Sequence, residues 1–269
     1  MERQEIDHKA LRQRYNPDGS KLRQDQMELL KMLLFVDNIC KRNNIKWWLS
    51  SGTLIGAARH NGFIPWDDDL DIAMLKSDYK RLKKILRNLD SKEYVLHDME
   101  SDVDYVNVFG KFRKRNGAIH STSRRYNYYK WRGIGFDIFA VEKNSYLAAR
   151  IASVIYGNLQ HITSYIKWNW LRKPLIRLIE ILCLCIINPI LRLIGLINPC
   201  GEYHYSLGTG WAKTTIFLED TFPLRKTMFE GVELPIPNNT DAYLTRVYGN
   251  WRELPTDESI KKAIHCLEY

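Results

Sequence analysis

Four aspartates fall within five residues, Asp67, Asp68, Asp69 and Asp71, inside the segment WWLSSGTLIGAARHNGFIPWDDDLDIAM that runs from Trp47 to Met74. The spacing predicts a strand over Asp67 to Met74. Residues two apart on a strand share a face and stand about 7 Å apart. Asp69 and Asp71 then project together, with Leu70 and Ile72 on the other face. Two unpaired carboxylates held that close repel, and one pKa rises. A divalent cation relieves the repulsion, and hard oxygen ligands suit Mg²⁺ or Mn²⁺. An acidic turn in solvent has polar flanks. This one has apolar flanks, which favours a site.

Upstream, Ser51-Gly52-Thr53 precedes a helical stretch from Thr53 to Arg59. Backbone amides at a helix N-terminus hold phosphate, and glycine permits close approach. A small-residue turn, a helix, a connecting turn with Pro65 and then a strand reading D-h-D-h (h, apolar) is the layout of the nucleotidyltransferase fold. That fold needs a third carboxylate on a neighbouring strand. Asp137, a single acid in the apolar run GIGFDIFAV, offers one. A lone buried carboxylate is costly unless it is paired or metal-bound.

The rest of the chain supplies a body for such a site. Residues 21 to 43 carry Leu29, Leu30, Leu33, Leu34, Val36 and Ile39 at helical spacing, a core-packing pattern. Ile45 to Leu49, Val103 to Arg113 and Gly135 to Val141 read as strands, and residues 78 to 89 as an amphipathic helix with a solvated basic face. The fold class is therefore α+β, a mixed sheet with flanking helices, in one domain spanning all 269 residues.

Composition narrows the partners. The formal net charge is +9, which suits an anion-meeting surface. Nucleic-acid modules are missing: there is neither zinc-finger spacing nor an RNA-recognition signature. The five cysteines form no CxxC, and the charged N-terminus MERQEIDHKALRQRY is unlike a secretory signal. A reducing cytoplasmic setting is expected.

Residues 145 to 199 read as a helical insertion. From Lys173 to Pro199 the chain is rich in Leu and Ile but interrupted by Arg177, Glu180, Asn188, Pro189 and Arg192. Lys173, Arg177, Glu180 and Asn188 fall on one helical face. The expectation is two short amphipathic helices, each followed by Asn-Pro, with a bend at Pro189. Two placements stay open, a buried hairpin and an in-plane membrane contact with basic residues at the headgroups. The charges disfavour a bilayer span, which takes about 20 mostly apolar residues.

The string GTLIGAARHNGFIPWDDDLDIAM closely resembles the signature of the LicD family of phosphocholine transferases, which includes fukutin and fukutin-related proteins. WRGIGFDIFAV resembles the family's second block and FEGVELPIPNNTDAYLTRVYGNW its third. The likeness covers most of residues 25 to 265 and is weakest from about 145 to 200. Where the second block commonly reads D-I-F-P, this chain has Ala140 after Phe139. The resemblance implies a nucleotidyltransferase-like fold and a CDP-linked donor, with CMP released. It also implies transfer of phosphocholine, ribitol phosphate or a related group to a cell-surface glycan or glycolipid such as lipopolysaccharide, teichoic acid or capsule.

On this reading Asp69, Asp71 and Asp137 are the catalytic and metal-binding acids, and Ser51, Gly52 and Thr53 cradle a phosphate. Arg59, His60, Lys111 and Arg113 are candidate phosphate or glycan contacts, although His60 could instead support the Trp66 turn. Trp47, Trp48, Tyr126, Tyr128, Tyr129 and Trp131 are available to a quaternary ammonium but do not choose the donor. Two rivals remain, an NTP-using nucleotidyltransferase with the same acids and a non-catalytic membrane-associated scaffold. The expected location is the cytoplasm, at the inner face of the membrane.

Overall fold

A computed structural model describes residues 8–118, 124–195, 201–210 and 214–263, with residues 261–263 described by their backbone alone. Helix α1 (His8–Tyr15) leads into α2 (Lys21–Arg42), whose first turn is capped by Ser20, its hydroxyl accepting from the Arg23 N–H at 3.1 Å. The leucine stripe anticipated on α2 is buried: Leu29, Leu33 and Val36 are closed to solvent.

The centre is a six-stranded mixed sheet. Its strands are β1 (Trp48–Leu49), β2 (Asp71–Leu75), β3 (Tyr94–His97), β4 (Gly110–Lys114), β5 (Gly135–Lys143) and β6 (Tyr203–Tyr205). The order is β1-β2-β5-β4-β3, with β6 on the far end of β5. Only β2 and β5 run parallel. The strand foreseen over 67–74 starts at Asp71, because residues 67–70 form an irregular loop held by other contacts. The strand foreseen over 103–113 is confined to 110–114.

Helix α3 (Ser51–His60) joins β1 to the acidic loop, and α4 (Lys76–Arg87) follows β2. Phe35 of α2 stacks on Phe112 of β4 with centroids 6.0 Å apart, tying helix to sheet. Short α8 (Leu218–Thr221) precedes a hairpin of β7 (Arg225–Phe229) and β8 (Val232–Ile236), then α9 (Thr240–Tyr248) and α10 (Asp257–Ala263). The hairpin's Phe229 packs on Phe63, centroids 4.9 Å apart. Glu230 at its tip accepts from the Phe63 N–H at 3.0 Å and from Arg23 at 2.5 Å. A Cβ on Gly62 would meet that carboxylate, so any larger residue there would push the Glu230 side chain aside.

Helix α5 (Tyr146–Ser164) is followed by α6 (Asn169–Leu182), a wider π turn (Cys183–Ile187) and α7 (Asn188–Gly195). The expected pair of short helices is instead one continuous run of 27 residues from Asn169 to Gly195. A proline ring clashes with the carbonyl four residues back. The π turn, in which the Asn188 N–H reaches the Cys183 carbonyl, comes just before Pro189 and absorbs that clash. The second Asn-Pro, 198–199, lies outside the described residues. These helices share a second apolar cluster around Ala152, Tyr156, Cys183 and Leu191.

Candidate active site

A cavity of about 710 Å³ opens where α3 begins and β2 starts, within the range of small-molecule sites. Ser51, Gly52, Asp67, Asp69 and Asp71 line one side. Tyr146 and Arg150 of α5, Tyr205 of β6, and Tyr243 and Tyr248 of α9 line the other.

Local contacts fix the acids. The Asp71 N–H donates to the Thr53 hydroxyl at 2.8 Å, locking the start of β2 to the first turn of α3. The buried Gln26 side chain of α2 donates to the carbonyls of Asp67 at 2.8 Å and Ile64 at 3.3 Å, and accepts from Asn16 at 2.7 Å. The acidic loop therefore hangs from the core rather than sitting free in solvent. Asp67 faces α3 so closely that a Cβ on Gly52 would lie 2.9 Å from its carboxylate oxygen. Ser50 precedes α3 without capping it. Its hydroxyl lies 2.6 Å from the Tyr205 hydroxyl instead. Ser51 holds φ at 50°, a conformation that costs a non-glycine residue about 1–3 kcal/mol.

The carboxylates carry unrelieved charge. Burial, and then Asp69 and Asp68, push Asp67 up to about 8. Asp71 is raised well above the carboxylate range by burial, then by Asp137, Asp69 and Asp67. One oxygen each from Asp67, Asp68 and Asp69 come within 4.8 Å of one another. Crowded oxygen donors of this kind, Asp67 and Asp68 half-buried and Asp69 open to solvent, fit a hard divalent cation.

Asp137 stands one strand away from Asp71, its partner in the parallel β2–β5 register. Lys111, opposite Asp137 in the β4–β5 register, places Nζ 2.9 Å from Asp137 Oδ1. Burial raises Asp137, and Lys111 works against that. The third acid is thus beside the other two but is partnered by a lysine.

Three basic residues expected to meet substrate are engaged elsewhere. Arg59 donates to the Trp251 and Glu253 carbonyls, each at 2.9 Å, and to His60. His60 sits against His8 and the Trp66 ring, as support for the turn. Burial, then Arg59 and His8, push it down to about 3, so it is neutral. Arg113 is buried, donating to the Gly133 carbonyl at 2.8 Å. None of the three lines the cavity. The six aromatics considered for a quaternary ammonium do not line it either. Tyr128 already carries the Arg172 guanidinium 3.6 Å over its ring, and Trp131 the Lys130 ammonium at 4.5 Å.

Arg150, Gln26 and the tyrosines were not legible beforehand. Tyr243 and Tyr248 do lie within DAYLTRVYGNW, five residues apart on α9, which is the one signal that pointed to them.

The profile of the LicD/FKTN/FKRP nucleotidyltransferase domain matches residues 44–156. Residues 44–156 are a LicD-family domain. The match takes in the α3 turn, the acidic loop, both acid-bearing strands and the start of α5. The chain is 26% identical over 260 residues to the lipopolysaccharide cholinephosphotransferase LicD of Haemophilus influenzae, covering 89% of this chain and 94% of that protein. It is 40% identical over 70 residues to an uncharacterised protein of Rickettsia prowazekii, 26% of each chain. A segment of 44 residues is 39% identical to human ribitol 5-phosphate transferase FKRP, 16% of this chain and 9% of that one. The LicD likeness thus extends well beyond residues 44–156.

Proposed function

We propose that this chain transfers a phospho-head group, phosphocholine or a related group, from a CDP-linked donor to a hydroxyl of a cell-surface glycan. The observation that carries the reading is the convergence of Asp67, Asp69 and Asp71 on one cavity against the first turn of α3. The extended similarity to a lipopolysaccharide cholinephosphotransferase supports the substrate class.

Asp69 and Asp71, with Asp67 beside them, would hold a Mg²⁺ or Mn²⁺ ion, which when bound supplies charge neutralisation for the donor diphosphate. The amides of Ser51, Gly52 and Thr53 receive a phosphate oxygen at the α3 N-terminus, and Arg150 meets donor charge from the opposite wall. The acceptor oxygen attacks the phosphorus bearing the head group. A new P–O bond forms, the bond to the bridging diphosphate oxygen breaks, and CMP leaves. Asp137 takes the hydroxyl proton, and Lys111 holds its carboxylate in place. The setting is cytoplasmic, with peripheral membrane contact.

The test scores CMP release from CDP-choline, CDP-ribitol, CDP-glycerol and CDP-ethanolamine, with labelled CTP in parallel. Release from one CDP-linked donor is expected. Nucleotide incorporation from CTP with no such release would make the chain a nucleotidyltransferase in the narrow sense.

A further inference from the structure

The long helix of residues 169–195 turns many of its polar groups inward, while Lys173 stays exposed. Arg172 Nε lies 2.8 Å from Asp104 Oδ1, and Arg177 donates to the Met99 carbonyl at 3.2 Å. Asn188 donates to the Tyr156 hydroxyl at 3.0 Å, and Arg192 Nε lies 3.6 Å from Glu142. Its outer face is apolar. Trp170 is 74% exposed and Leu193 64%, and between them Leu178, Ile181, Leu184 and Ile190 are each about half exposed. The neighbouring α5 continues the surface with Leu147, Val154 and Ile162, and Trp168 stands 66% exposed at the foot of the long helix. A helix on a water-facing surface has the opposite arrangement, and contiguous apolar surface of this extent marks an interaction face.

Charge selects the occupant. From Lys143 to Gly195 the sequence has seven Lys or Arg and a single acid, Glu180, which is paired with Arg177. Lys167 and Lys173 bracket the two exposed tryptophans. Beside Leu184 and Arg192 a cavity of about 500 Å³ adds Lys80 and Lys84 of α4, while its Arg87 is paired with Asp98 and Glu100. A second copy of the chain would bring these like charges together. Anionic headgroups complement them, with tryptophan and lysine at interfacial depth.

The helix is long and apolar enough to cross a bilayer. However, it is bound to the catalytic body near both ends, through Arg172 and Arg192. Lipid cannot surround it without breaking those contacts. We infer that α5 and the 169–195 helix form an in-plane docking surface for an anionic lipid bilayer. The active-site mouth lies beside that surface, because α5 sends Tyr146 and Arg150 into the catalytic cavity and Leu147 and Val154 outward. A glycan acceptor carried on a lipid would meet the acids there. This last consequence alone rests on the proposed chemistry, and the docking surface stands apart from it.

The experiment co-sediments the full chain with phosphatidylglycerol-containing and with pure phosphatidylcholine vesicles, and measures CMP release in solution in parallel. The wild type should sediment with the anionic vesicles, less so as salt rises. Leu178→Glu with Ile181→Glu should cut the bound fraction about tenfold or more with an unchanged melt. Lys167→Glu with Lys173→Glu should weaken binding in the same direction. Carbonate at high pH should extract the bound wild type. Retention through carbonate would mean a span and overturn the in-plane assignment. Failure to bind anionic vesicles would overturn the surface, as would a concentration-dependent dimer, without vesicle binding, that the Glu pair dissolves. Vesicle binding without CMP release would leave the surface standing and count against the chemistry alone.

Discussion

Lys111 Nζ lies 2.9 Å from Asp137 Oδ1, and the two residues oppose each other in register across β4 and β5. Asp137 therefore serves a neighbour as well as the site. Asp137→Asn should lower kcat about 10²-fold, the usual contribution of a general base. It should also lower the Tm, because Lys111 keeps a buried charge without its partner. Adding Lys111→Met should recover the Tm and leave kcat low. Near-normal kcat in a folded Asp137→Asn protein would make Asp137 purely structural.

The acidic loop predicts a coupled dependence on pH and metal. Asp67 is pushed up to about 8 from the ordinary 3.8, and Asp71 is raised in the same direction. The folded chain then holds protons that the unfolded chain has already released. Stability without metal should fall as pH climbs from about 4 to about 8. A divalent cation needs the deprotonated ligands and takes over the role of the protons. The Tm gained on adding Mg²⁺ or Mn²⁺ to a chelated sample should therefore be larger at pH 8.5 than at pH 5.5. EDTA should abolish turnover, and either metal should restore it. A metal-induced shift that does not grow with pH would separate the ion from these carboxylates.

Gln26 gives a test of how the loop is positioned. It is buried and donates to the Asp67 and Ile64 carbonyls. Gln26→Leu strands the Asp67 carbonyl and the Asn16 amide, while the Ile64 carbonyl keeps the Asp67 N–H, at a cost of about 1–3 kcal/mol for each group left unsatisfied. The Tm should drop, and Mn²⁺ affinity should fall with it as the loop loosens. An unchanged Mn²⁺ Kd beside a lowered Tm would limit Gln26 to a structural role.

Legibility in the sequence followed how local each contact is. The acidic loop, the α3 turn and Asp137 could be read because each is announced by its immediate neighbours. Gln26, Arg150 and Tyr248 could not, since they reach the site from elements far away in the chain. Arg59 and Arg113 point away from the cavity, and His60 supports the Trp66 turn, which the sequence leaves open for a related reason. A cation beside a motif looks the same in sequence whether it meets a phosphate or a backbone carbonyl. The helix through Pro189 reads as two pieces in sequence because a π turn is a register change that leaves no mark in the residue pattern. The α2 helix, by contrast, was placed within one residue at its C-terminal end, its apolar stripe being set by period alone.

Arg150 allows the sharpest separation of binding from folding. Among the described residues lining the catalytic cavity it is the one cation, facing a wall of three carboxylates. It is exposed, so its removal should leave the Tm unchanged. A donor bringing a diphosphate into that cavity would gain a charge-assisted hydrogen bond worth about 1.5–3 kcal/mol. Arg150→Gln should then raise the KM for the CDP-linked donor by about 10- to 100-fold, the same energy expressed as a ratio. The kcat should change less if the contact is equally strong in ground and transition states. A fall in kcat at constant KM would instead place the guanidinium on charge that develops only as CMP departs. No change in either would remove Arg150 from the donor path and leave the phosphate to the α3 amides on the facing wall.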